Sequence, residues 1–113
     1  MGIRGGGWLS DRREKSNINE LPKEKAEAFV LGLKPVSYEL NARPGIIHHG
    51  LIAQDVQEVV YDDWGVVSEQ EDMRTHETTL ALNYTEIIAD LIVTVQAMAR
   101  KIEALEQKTM EGR

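Results

Sequence analysis

Between Asn83 and Gly112 the chain has no interior proline or glycine, and Ile88, Leu91, Val95, Met98, Ile102, Leu105 and Thr109 follow one another at alternating steps of three and four. That spacing winds a single apolar stripe around a helix with the repeat of a coiled coil. Asn83 and Glu86 stand as an N-x-x-E capping pair at the start, and Gly112 marks the end. So long a helix has more apolar surface than the rest of a small chain can cover, so the stripe is expected to take a partner helix. The alternative is that it packs inside its own subunit. Val95 and Ile102 at one seam position, against Leu91, Met98 and Leu105 at the other, lean toward two strands for a parallel pair, although Ile88 and Met98 break any clean rule.

The rest of the chain must supply whatever core there is. With 113 residues, 42% hydrophobic and 28% charged, it fits one small domain. A formal charge of -6 offers no broad basic face, so nucleic acid is not an expected partner. The chain has no cysteine, which excludes disulfides and thiolate metal sites. No apolar run approaches the ~18 residues of a membrane-spanning helix, and the N-terminus has no signal-peptide pattern, so no membrane partner is expected. Met1 to Gly7 shows no periodicity and is expected to lie outside the fold.

The middle reads as α+β. LPKEKAEAFVLGL, from Leu21, places Ala26, Phe29, Val30 and Leu33 on one helical face, with Pro22 suited to the first helical position. Lys34-Pro35 stops that helix, and Val36, Tyr38 and Leu40 then alternate as one side of a strand. NARPG, Asn41 to Gly45, is expected as a turn and IIHHGLIA as the returning strand of a hairpin. Val56, Val59 and Val60 share a helical face over Ala53 to Val60, with Gln54 and Asp55 at the helix start. Further strands are expected at Gly65 to Ser68 and Thr78 to Leu82.

One stretch bears on chemistry. GGGWLSDRREKSNI, from Gly5, sets Ser10 five positions before Lys15. A serine hydroxyl becomes a nucleophile when a base takes its proton, and an amine does so only when neutral, which burial or nearby positive charge favours over the ordinary ~10.4 of lysine. Arg12 and Arg13 provide such charge. Five residues of separation place two side chains about 140° apart on a helix and on opposite faces of a strand. Ser10 and Lys15 therefore meet only if the chain bends between them or if one comes from another subunit. The bland reading is that Ser10-Asp11 is a helix cap and DRREK a solvated charge cluster.

Several stretches together bear a family resemblance. SDRREKSNI at Ser10 to Ile18, LGLKPVSYEL at Leu31 to Leu40, HHGLIAQDVQEVV at His48 to Val60, LNYTEII at Leu82 to Ile88 and the terminal coiled-coil pattern occur in this order over about residues 10 to 108. They resemble the intramolecular chaperone auto-processing domain of the peptidase S74 family. Such domains end phage tailspikes, tail fibres and neck appendages, and a related one occurs in membrane-bound eukaryotic transcription factors of the myelin regulatory type. The resemblance implies a homotrimer that helps an upstream passenger of the same polypeptide to fold and then cuts itself off before the motif serine.

Here that bond is Leu9-Ser10. By the resemblance Ser10 is the nucleophile and Lys15 the general base of a single-turnover serine peptidase acting on its own chain. Glu14 departs from the apolar residue often found there, and its carboxylate would favour the charged form of the neighbouring amine. The implied organisation is an upstream remnant or lead-in at 1–9, an α+β core at 10–83 and a trimerisation helix at 84–113. The implied setting is the host cytoplasm during virion assembly, with the passenger in the tail or appendage and this domain released. The alternatives are a non-cleaving oligomerisation module of the same fold and, more remotely, a DNA-linked regulator of the eukaryotic type.

Other residues carry less. His48 and His49 are neighbours on an expected strand, so one should pack and the other face water, with no third ligand to make a metal site. Asp62-Asp63 and Glu69 to Asp72 read as solvated acidic turns. Trp8 and Trp64 are candidate contact anchors. Without a phosphate-binding glycine loop, no nucleotide or other cofactor is inferred.

Overall fold

The computed structural model describes the backbone of residues 3–4 and 7–112 and the side chains of residues 9–112. Met1, Gly2, Gly5, Gly6 and Arg113, and the side chains of Ile3, Arg4 and Trp8, lie outside that description. The described residues form an α+β chain with three two-stranded antiparallel sheets. Strands β1 (Ile3–Arg4) and β2 (Gly7–Trp8) pair with each other. Helix α1 (Lys23–Gly32) leads into a hairpin of β3 (Val36–Leu40) and β4 (Arg43–Gly50). Helix α2 (Ala53–Val59) leads into a second hairpin of β5 (Val67–Glu71) and β6 (Thr78–Leu82), and the long α3 (Thr85–Glu111) follows.

Several boundaries move for local reasons. Pro22 takes the cap position before α1 rather than the first helical position, with φ -70 and ψ 117. The turn expected over Asn41 to Gly45 shrinks, because β4 already begins at Arg43. Gly45 makes this work with φ +91, while its N–H donates to Glu39 Oε1 at 2.7 Å and the register shifts between Tyr38 and Leu40. A strand irregularity of this kind favours glycine. Leu40, beyond the shift, is exposed rather than half-buried like Val36 and Tyr38. The strand expected from Gly65 starts at Val67, because Gly65 turns the chain at φ +85 and Val66 drops into the core.

The N-x-x-E cap does not form. Asn83 instead donates from Nδ2 to the Gly65 carbonyl at 2.6 Å and from its backbone N–H to the Val66 carbonyl at 2.8 Å, so its side chain ties β6 to the approach to β5. Tyr84 becomes the residue before the helix. Its hydroxyl accepts from the Leu51 N–H at 3.0 Å and so joins the end of β4 to the start of α3.

The core gathers buried apolar side chains from each neighbouring segment: Ala26 and Phe29 of α1, Val56 of α2, Val66 before β5 and Ile87 of α3. Phe29 meets Trp64 and Tyr61 edge-on, with ring centres 4.9 and 6.2 Å away. The inner face of α3 is Ile87, Asp90 and Thr94. Asp90 is only 2% exposed, and its Oδ2 accepts from the Tyr61 hydroxyl at 2.8 Å. Lys101 Nζ donates to Glu27 Oε1 of α1 at 2.8 Å. Thus the first half of α3 is part of the core.

Its other face is open. The seam residues Ile88, Leu91, Val95, Met98, Ile102 and Leu105 are all exposed, from 37% at Met98 to 66% at Val95, so the stripe does not pack inside its own subunit. The radius of gyration is 18.7 Å, against about 13 Å for a compact domain of this length. Accessible surface is 9591 Å², where a compact monomer of the same mass would show about 6,200 Å². Apolar burial drives association as well as folding, and this chain leaves much of it unused.

Candidate active site

The segment before α1 bends where neither a helix nor a strand would. Asp11 opens a 3-10 turn, Arg12–Glu14, in extended geometry with φ -65 and ψ 134. The Glu14 N–H donates to the Asp11 carbonyl at 2.9 Å and the Lys15 N–H to the Arg12 carbonyl at 3.1 Å. Lys15 then returns to extended backbone. The turn brings the two ends of the motif together: Lys15 Nζ donates to Ser10 Oγ at 2.7 Å, within one chain.

The Asp11 carboxylate bridges the turn. Asp11 Oδ1 accepts from the Arg13 N–H at 2.8 Å and from Arg13 Nε at 3.1 Å, while Oδ2 accepts from Arg13 Nη2 at 2.9 Å. The side-chain bond to Arg13, then the backbone bond, hold the Asp11 carboxyl below the usual carboxylate range, and the side-chain bond to Asp11 in turn pushes the Arg13 guanidinium up. Ion pairs among the described residues are Arg13–Asp11, His76–Glu71 and Lys101–Glu27, so the Glu14 carboxylate makes none with Lys15. Every residue from Leu9 to Lys15 is exposed to solvent. The expected cap and solvated charge cluster are present, and the same turn sets a hydroxyl against an amine.

Chemically, such a pair can transfer a proton from hydroxyl to amine when the amine is neutral, leaving an alkoxide-like oxygen beside the carbonyl of the preceding residue. The two histidines do not join it. His48 is half-buried and stacks on Tyr38 with ring centres 5.5 Å apart, while His49 is exposed, as their alternation on β4 requires. Among the described residues no group of three or more His, Asp or Glu side chains is placed to hold a metal ion. Asp62 and Asp63 are exposed, and Trp64 packs on Phe29.

An apolar groove of about 800 Å³ opens between α1, the β3–β4 hairpin and α3, and Ile88 and Leu91 of the seam form part of its wall. The Asp90–Tyr61 bond has no counterpart in the sequence pattern, because a carboxylate at a core position looks like a surface residue, and the Asp11–Arg13 clamp is foreshadowed only by the expected cap at Ser10-Asp11.

The chain is similar to one known family. The model of peptidase S74, described as chaperone of endosialidase, matches residues 10–66. The match begins at Ser10 and takes in the Ser10–Lys15 turn, α1, the first hairpin and α2, while α3 lies beyond it. No curated protein matches the chain.

Proposed function

The chain belongs to the peptidase S74 family, and from that premise we propose that it is a trimerising intramolecular chaperone that releases itself from an upstream passenger by cutting Leu9-Ser10. The observation that carries this reading is the 2.7 Å contact of Lys15 Nζ with Ser10 Oγ, at the start of the family match. Neutral Lys15 takes the Oγ proton as Oγ attacks the Leu9 carbonyl carbon. The C–N bond then breaks, the proton passes to the departing Ser10 nitrogen, and an ester links Leu9 to Ser10 Oγ. Water hydrolyses that ester, yielding a Leu9 carboxylate and restoring the serine hydroxyl.

Assembly gives the reaction its timing. In the single chain the Ser10–Lys15 turn is open to water, whereas burial favours a neutral amine. Association along α3, which would cover this segment with a neighbour or the passenger, is the step that activates it. The exposed seam supports such association. A trimer formed early lowers the entropic cost of bringing three passenger chains into register, and removing it afterwards leaves a kinetically trapped product.

The passenger is an appendage or fibre of a virion, assembled in the host cytoplasm. No helix among the described residues is long and apolar enough to cross a membrane. The test is to express the chain behind its passenger and follow fragment sizes for the parent, Ser10→Ala and Lys15→Ala. Cleavage should vanish in the first and slow by at least ~100-fold in the second. Both variants cutting at the parental rate would remove the dyad; a parent that forms trimers yet stays whole would make the chain an oligomerisation module only.

A further inference from the structure

We propose that Asp11 is a positioning residue: by capping the 3-10 turn it closes the distance between Ser10 and Lys15. This rests on the dyad reading above and deepens it. Five residues of extended chain span up to ~17 Å, and a helix would turn the two side chains away from each other. Only a reversal between them allows the 2.7 Å contact. That reversal is a single short turn, Arg12–Glu14, with no buried residue in it. Packing therefore does not hold it, and an isolated turn is costly to nucleate.

What does hold it comes largely from one carboxylate. Asp11 Oδ1 satisfies the Arg13 N–H, a donor that the turn itself leaves without a partner, at 2.8 Å. Its two oxygens also grip the Arg13 guanidinium, at 3.1 and 2.9 Å. The two contacts are separable in kind. The cap fixes the backbone path that returns Lys15 to Ser10. The ion pair is solvent-exposed, with Arg13 87% exposed, and such pairs contribute little. Asp11 thus acts through its acceptor oxygen more than through its charge.

The experiment measures the first-order rate of cleavage at Leu9-Ser10 in the passenger-bearing chain for Asp11→Ala, Asp11→Asn, Asp11→Ser and Arg13→Ala, with sedimentation to show that each forms the parental oligomer. Asp11→Ala should slow cleavage about 3- to 10-fold, in line with loss of a cap. Asn and Ser, which also cap, should restore most of the rate, and Arg13→Ala should cost less than about twofold, because the Asp11 carboxylate already offsets the Arg13 charge beside Lys15. Parental cleavage in Asp11→Ala, or Asn and Ser as slow as Ala, would overturn the inference. Ser10→Ala and Lys15→Ala, run beside them, separate its failure from that of the dyad. If those two also cut at the parental rate, the dyad reading itself falls. A readout independent of cleavage is hydrogen exchange at the Arg13 amide, which should be slowed in the parent and in Asp11→Asn but not in Asp11→Ala. Equal exchange in all three would also refute it.

Discussion

Replacing Ile102 with aspartate attacks the association on which the proposed timing depends. Ile102 is 57% exposed in the single chain and lies eight residues beyond Thr94, the last buried position of α3, so the core loses nothing. Full burial of such a side chain contributes about 1.5–3 kcal/mol, and covering the exposed part accordingly about 1–1.7 kcal/mol per copy. Three copies in one seam make that roughly 3–5 kcal/mol, before any repulsion among three carboxylates. Ile102→Asp should thus weaken trimerisation by at least roughly 10²- to 10³-fold. Sedimentation equilibrium over micromolar concentrations measures this directly, with far-ultraviolet circular dichroism to show that the core fold survives. Glu103→Gln, beside the seam rather than in it, should sediment like the parent. An Ile102→Asp chain that associates as tightly as the parent refutes the reasoning, because the stripe would then not be the interface.

Two further substitutions test the core. Tyr61→Phe leaves the buried Asp90 carboxylate without its phenol donor and should cost about 1.5–3 kcal/mol in urea unfolding near neutral pH. Burial first, then the bond to Asp90 and its charge, raise the Tyr61 hydroxyl above its usual 10.0. The folded state thus holds that proton more tightly than the unfolded chain, and the resulting stabilisation is complete below pH 10.0 and declines as pH rises further. The gap between parent and Tyr61→Phe should narrow in alkali, and a gap that widens there contradicts the assignment. Gly50→Ala would place a Cβ 2.6 Å from the Tyr84 hydroxyl and 3.1 Å from Tyr38 Cε1. Displacing a hydroxyl that accepts from the Leu51 N–H should destabilise the chain by about 1–3 kcal/mol, and an equally stable variant would show that the junction of β4 and α3 yields freely.

Periodicity made the long elements legible. The face Ala26, Phe29, Val30 and Leu33 marks α1, the alternation of Val36 and Tyr38 marks β3, and the seam marks α3, each because burial repeats with the backbone. What escaped was decided by single bonds rather than by pattern. Gly45 and Gly65 take φ above +80°, which moves the starts of β4 and β5. Asn83 has the residue type of a cap, yet a carbonyl eighteen residues away claims its side chain. Asp90 lies on the inner face of α3 with Ile87 and Thr94, where its polarity conceals its burial. At the candidate site the residue types were evident and the spacing argued against their meeting. One capped turn reconciles the two, and nothing in an i, i+5 separation announces it.

The most direct measurement is a time course in which passenger-bearing chain is separated by size and each fraction is taken to intact-mass analysis. The account predicts a fragment beginning at Ser10 that accumulates only in the trimeric fraction. Cleavage at a different bond, or cleavage at Leu9-Ser10 that proceeds as fast in single chains, would contradict it.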